Sequence, residues 1–141
     1  MAVEKILVVD DEQDLVDLIR FNLEQNKYQA LTAQDGEEAL RIARRDRPDL
    51  IILDIQMPDM DGIEACKQIR KRENCGSRIP ILALTASPER YYDFGSKQGL
   101  FDEFIAKPYE VKVLVDIIEE RLTRSSSRQH IPPIKEISQP V

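Results

Sequence analysis

Three carboxylates, one hydroxyl and one ammonium stand where this chain could carry out chemistry on phosphorus. Asp10 and Asp11 follow the apolar run Ile6-Leu7-Val8-Val9, and Asp54 closes Leu50-Ile51-Ile52-Leu53. Thr85 follows Ile81-Leu82-Ala83-Leu84, and Lys107 follows Phe104-Ile105-Ala106. Each run has the length and composition of a buried strand. In an open parallel sheet the carboxyl ends of the strands share one edge, where ligands of that architecture bind. Two acids at ~4 Å repel by about 1 kcal/mol in water and about 4 kcal/mol at an effective dielectric of 20, so a cation belongs among the three. Mg²⁺ suits the set: it prefers oxygen ligands, keeps several waters, and takes one or two carboxylates plus a phosphate. Zinc does not, because no His/Cys set exists.

With a metal ion and the Lys107 ammonium to hold phosphoryl oxygens, Asp54 can act as a nucleophile toward phosphorus. Thr85 offers a hydroxyl donor, and the backbone amides around Gln56 and Ala86 complete an anion cradle. Plainer roles exist for each residue taken alone. Asp10 or Asp11 can cap the following helix, Thr85 can cap a strand end, and Lys107 can lie in solvent. Pro108 is a candidate for a cis peptide that turns Lys107 inward.

Several other chemistries are excluded. Neither GxGxxG nor a P-loop occurs, so a nucleotide site lacks support. His130 is the only histidine and lies near the end of the chain, which argues against an internal Ser-His-Asp or Cys-His catalyst. Any phosphohistidine donor would have to come from another molecule. The net charge of -6 argues against direct binding of nucleic acid or anionic membrane. Apolar runs are far shorter than the ~20 residues that span a bilayer, and the N-terminus lacks the apolar core of a signal peptide. A cytoplasmic location is expected. Cys66 and Cys75 have neither a disulfide framework's count nor a CxxC spacing, so both are read as free thiols.

The elements that position these residues alternate strand and helix five times, the pattern of an α/β domain with a parallel sheet. Strands are expected at 6–9, 28–33, 50–53, 81–84 and 104–106. A helix from about Gln13 to Asn26 has Leu15, Leu18, Ile19 and Leu23 on its inner face. Asp35-Gly36-Glu37-Glu38 opens a second helix, to about Arg45, with acids at the positive end of its dipole. A third runs from Asp61 or Gly62 to about Arg72 and buries Ile63, Cys66 and Ile69. Ser87-Pro88-Glu89 begins a fourth, to about Lys97, carrying Tyr91, Tyr92 and Phe94. The fifth carries Val111, Leu114, Val115, Ile118 and Leu122 as one stripe. The domain is placed at 1–123, with a flexible Ser/Pro-containing tail at 124–141 whose Ile131, Ile134 and Ile137 could alternatively dock on a surface.

Taken together, Val8-Val9-Asp10-Asp11-Glu12, Leu53-Asp54-Ile55-Gln56-Met57-Pro58-Asp59-Met60-Asp61-Gly62, Ala83-Leu84-Thr85-Ala86 and Phe104-Ile105-Ala106-Lys107-Pro108 resemble the receiver domain of two-component response regulators, the CheY-like family. The likeness spans nearly all of residues 4 to 123. It implies a doubly wound, flavodoxin-like five-stranded parallel sheet in the order 2-1-3-4-5. It also implies that Asp54 takes a phosphoryl group from a phosphohistidine of a sensor kinase or histidine phosphotransferase. Asp11, Asp54 and the Gln56 main-chain carbonyl would then bind Mg²⁺ directly and Asp10 through water. Thr85 and Lys107 would contact the phosphoryl oxygens.

Thr85 would also move toward the phosphoryl group and leave room for Phe104 to turn inward, or Phe104 is a static core residue. Relatives with Tyr at that place have a hydroxyl this chain lacks. The implied output is a change in contacts with a downstream protein, on the face of the fourth helix, fifth strand and fifth helix. Tyr91, Tyr92 and Phe94 are divided there between core and interface, and a homodimer is compatible.

Two further readings compete with a stand-alone signalling module. One is a receiver portion of a larger hybrid kinase or regulator. The other is a metal-dependent phosphohydrolase of the haloacid dehalogenase type, which needs an acid two residues after the nucleophile to protonate the leaving group. Gln56 stands at that place and counts against it.

Overall fold

A computed structural model describes residues 3–55, 62–71, 78–86 and 99–126, with side chains described for 63–71 and up to 123 within the third and last of these helical stretches. Five parallel strands form one sheet: β1 (Lys5–Val9), β2 (Gln29–Ala33), β3 (Leu50–Asp54), β4 (Ile81–Thr85) and β5 (Glu103–Ala106), in the order β2-β1-β3-β4-β5. The order reverses direction beside β1, which leaves a crevice at the carboxyl edge between β1 and β3. Helices α1 (Gln13–Gln25), α2 (Gly36–Asp46) and α3 (Gly62–Lys71), and a C-terminal helix (Val111–Ser126), cover both faces. None of the described helices is long and apolar enough to cross a membrane.

Strands β3 and β4 are buried at every position, as expected of central strands covered on both sides. Side chains alternate across the sheet with period two, so each strand feeds two cores. Leu7, Val9, Ile51, Leu53, Ile81 and Ala83 pack with Ala39, Ile42, Cys66 and Ile69 of α2 and α3. On the other face, Ile6, Val8, Leu50, Ile52, Leu82, Leu84 and Ile105 pack with Val16, Ile19 and Leu23 of α1 and Leu114, Val115 and Ile118 of the C-terminal helix.

Local signals shape the helices much as their sequences predict. Asp35 caps α2 by accepting from the Glu38 amide at 2.8 Å, while the Glu38 carboxylate accepts from the Gln34 amide at 2.9 Å. This reciprocal arrangement satisfies donors that have no partner inside the helix. Arg47 ends α2 in the left-handed region at φ 48° and returns its amide to Ala43. In α1 the inner stripe is Val16, Ile19 and Leu23, whereas Leu18 is 49% exposed. The expectation for Leu18 is therefore corrected: the buried arc passes through Val16, Ile19 and Leu23 with Leu15 partly buried against the same core, and Leu18 points away from it. The C-terminal helix continues to Ser126, three residues into the stretch read as tail. The expected helix at 88–97 with Tyr91, Tyr92 and Phe94, along with Cys75 and residues 127–141, lies outside the described residues.

The amino edge of β4 and β5 is held by a clasp that the sequence analysis missed. The Arg70 guanidinium of α3 donates to the carbonyls of Ile79 at 2.7 Å and Leu100 at 2.8 Å and to Asp102 Oδ2 at 2.9 Å. Asp102 Oδ2 also accepts from the Ile81 amide at 2.8 Å, and Asp102 Oδ1 from Arg78 Nε at 3.1 Å. Gly99 takes φ +69° at the entry to this clasp, a conformation that disfavours other side chains.

Candidate functional site

The parallel ladder extends past the strand ends and places the tip residues. The Asp10 amide donates to the Ala33 carbonyl at 3.1 Å, and the Lys107 amide to the Thr85 carbonyl at 2.9 Å. Continuing the alternation, Asp10 follows Ile6 and Val8, Asp54 follows Leu50 and Ile52, and Lys107 follows Ile105, so all three extend the core face shared with α1. Thr85 follows Ile81 and Ala83 on the opposite face, where Phe104 packs. The site therefore sits across the end of the sheet, with Asp10, Asp54 and the ammonium on one side and the hydroxyl on the other.

Asp10, Asp11 and Asp54 each place a carboxylate oxygen within 4.8 Å of the others. Asp10 is fully buried, Asp54 is 4% exposed and Asp11 is open to solvent. Lys107 Nζ lies 3.1 Å from Asp54 Oδ2. Thr85 is fully buried. The Lys107–Pro108 peptide is cis. Gln56, named from the sequence as a main-chain ligand, lies outside the described residues.

The buried atoms of this donor set decide whether it suits a divalent cation. Asp10 Oδ1 accepts from the Glu12 amide at 3.0 Å, whereas Asp10 Oδ2 is buried without a hydrogen-bond partner among the described residues. A capping role for Asp10 accounts only for its first oxygen; the N-cap of α1 is Glu12, and its side chain makes no cap hydrogen bond. Burial pushes the Asp10 carboxyl up to about 6, against the pull of the Glu12 amide, and Asp54 raises it further. An orphaned acceptor, two neighbouring acids and a purely oxygen environment match what a hard divalent ion requires. Mg²⁺ fits these residues.

Phe104 is partly buried against the α2–α3 core, its ring 5.4 Å from that of Phe101 at 68°, an edge-to-face contact. Tyr109, which the sequence analysis passed over, packs its ring on the α1-side core, and its hydroxyl is buried without a partner among the described residues. Its only sequence signal is an aromatic two places after the tip lysine, which does not distinguish a phenol from a core ring.

Comparison with known proteins places this arrangement. The family model described as "Response regulator receiver domain" matches residues 6–119. The alkaline phosphatase synthesis transcriptional regulatory protein PhoP of Bacillus subtilis is 42% identical over 122 residues, covering 86% of this chain and 50% of that protein. The chain thus spans about half the length of this curated relative. Among solved structures, the receiver domain of a Pseudomonas aeruginosa sensor histidine kinase, with a magnesium ion coordinated in its active site cleft, is 32% identical with a TM-score of 0.75, over 86% of this chain and 99% of that one. The Thermotoga maritima response regulator TrrA, in complex with Mg²⁺ and BeF, is 34% identical with a TM-score of 0.72, over 84% and 98% of the two chains.

Proposed function

The chain belongs to the response regulator receiver family, and from that premise we propose that Asp54 is its phosphoacceptor, charged by a phosphohistidine on a sensor kinase or histidine phosphotransferase. In the reaction an Asp54 carboxylate oxygen forms a bond to phosphorus as the bond from phosphorus to the donor imidazole nitrogen breaks. The imidazole keeps the electron pair of that bond, and the product is an acyl phosphate. Asp10, Asp11 and Asp54 would hold Mg²⁺, with the Gln56 carbonyl as a further ligand. When bound, the ion neutralises charge on the phosphoryl oxygens.

The chain's own residues supply the remaining work. Lys107 is close enough to Asp54 to pair with an oxygen of the incoming group, and the Thr85 hydroxyl approaches from the other face of the sheet. Fixed donors aimed at developing charge cost little reorganisation when the reaction occurs. Reversal by water would release inorganic phosphate and restore the carboxylate.

The observation that carries this reading is the buried Asp10 oxygen without a partner beside Asp54, itself paired to Lys107. The added charge alters protein contacts only if one arrangement of Thr85, Phe104 and their surroundings binds it better than another. A histidine kinase or phosphotransferase upstream and a protein target downstream are the partners this chemistry needs, in the cytoplasm. PhoP, a transcriptional regulatory protein about twice the span matched here, favours a second reading of the output, in which this unit serves a longer regulator.

The test is incubation with acetyl phosphate and Mg²⁺, followed by intact mass. One phosphoryl adduct is expected on the parent and none on Asp54→Asn. A parent unmodified by several phosphoryl donors overturns the assignment.

A further inference from the structure

Two buried polar atoms near the acidic cluster have no hydrogen-bond partner among the described residues: Asp10 Oδ2 and the hydroxyl of Tyr109. One can only accept while it is ionised; the other can donate and accept. Both occupy the same layer. The Tyr109 ring packs against the core built on Ile6, Val8, Ile52 and Leu84, and Asp10 and Asp54 are the polar continuation of those strand rows. Tyr109 also lies two residues beyond Lys107, whose ammonium touches Asp54. The phenol experiences Asp10, Asp54 and Glu12: burial first, then these carboxylates, hold its ionisation well above the ordinary range. The hydroxyl thus keeps its proton at neutral pH and remains a donor.

Burying two complementary groups in one layer of the fold without partners is costly, and native interiors rarely tolerate it. Asp10 and Tyr109 do not bond each other, so each needs a further group, and one that offers both a donor and an acceptor would suit both. Water bound to a hard cation has that character, and Mg²⁺ keeps several of its waters when carboxylates bind it. We propose that the Tyr109 hydroxyl is a positioning group of the acidic site, hydrogen-bonded to the hydration shell of the divalent cation that Asp10, Asp11 and Asp54 hold. This rests on the metal site of the proposed function and assigns it a residue beyond the motif tips.

The position links ion binding to the packing of the C-terminal helix. Tyr109 immediately precedes Glu110, whose carbonyl accepts the Leu114 amide at 3.0 Å as that helix begins. Fixing the phenol through its hydroxyl therefore fixes the entry to the helix.

Tyr109→Phe removes the hydroxyl and keeps the ring, so the packing stays in place. In metal-free buffer the variant is expected to be as stable as the parent or more so, because no bond is lost. Its dissociation constant for Mg²⁺, measured calorimetrically, should rise about threefold to tenfold, the range of one hydrogen bond. The chain has four tyrosines and no tryptophan, so Mg²⁺ binding can also be followed by tyrosine difference absorbance. The parent should show a Mg²⁺-induced band that the variant lacks. A parent-like Mg²⁺ dissociation constant in Tyr109→Phe overturns the proposal while the metal site stands. A parent that binds no Mg²⁺ overturns both.

Discussion

Lys107 Nζ and Asp54 Oδ2 lie 3.1 Å apart, joining the last strand of the sheet to its central one across β4. The aspartate is nearly buried and the lysine about one quarter exposed, so the pair is only partly screened by water. Under the proposed function its placement would let one ammonium serve two states: countercharge to Asp54 before the reaction, and donor to the phosphoryl group afterwards.

Replacing that ammonium separates chemistry from ion binding. In Lys107→Ala, adduct formation with acetyl phosphate should slow by about 10²-fold, the scale of losing one donor to developing oxyanion charge. Mg²⁺ affinity should hold or improve, because a competing cation is gone. Intact mass against time and calorimetric titration of Mg²⁺ provide the two measurements.

Asp10 sets a pH dependence for the metal-free protein. Its native pKa, raised to about 6, exceeds the unfolded value of 3.8, so between the two the native state holds the extra proton. Stability then falls as pH rises through that interval. Each tenfold displacement of a proton equilibrium is worth about 1.4 kcal/mol, so the loss approaches about 3 kcal/mol above pH 6. Urea unfolding at pH 4 and pH 7 should show this fall in the parent and a smaller one in Asp10→Asn. At pH 7, Mg²⁺ at one hundred times its dissociation constant should restore about 2.7 kcal/mol.

The Arg70–Asp102 clasp is a structural prediction independent of the site. Asp102→Ala removes the acceptor for Arg70, Arg78 and the Ile81 amide together, with the two side chains of the Arg70 pair 10% and 17% exposed. Because this is not full burial, the cost should sit near the lower end for breaking a buried pair, about 3 kcal/mol in urea unfolding. The acidic cluster is at the other end of five-residue strands, roughly 15 Å away, so Mg²⁺ affinity should not change.

Phe104 tests the other face of the sheet. Phe104→Ala deletes the edge-to-face contact with Phe101 and part of the α2–α3 core, with an expected cost of about 2 kcal/mol. Mg²⁺ binding should be unaffected, because Asp10, Asp54 and Lys107 extend the opposite face. A weakened Mg²⁺ site in this variant would contradict the division of the site between faces.

What could be read in advance was whatever local patterning controls. Apolar runs ending in Asp10, Asp54, Thr85 and Lys107 marked the strand tips because a parallel strand covered on both faces reads as an unbroken apolar run, and the observed strand order matches the 2-1-3-4-5 expected. Asp35 announced its helix because a cap is a contact within four residues. Leu18 misled, since it continues the stripe of Leu15 and Ile19 about as well as Val16 does, and only the neighbouring helix and sheet decide between the two. Arg70 and Asp102 gave no signal, being 32 residues apart and joined only when β4 and β5 align. The orphaned oxygens of Asp10 and Tyr109 were equally invisible, because lacking a partner is a property of a neighbourhood.

The alternation that sends Asp10, Asp54 and Lys107 to one layer and Thr85 and Phe104 to the other has an evolutionary corollary. Substitutions on the α2–α3 side are expected to change the surroundings of Thr85 and Phe104 while leaving Asp10, Asp54 and Lys107, rooted in the other core, undisturbed. Two layers of one sheet can thus drift at different rates.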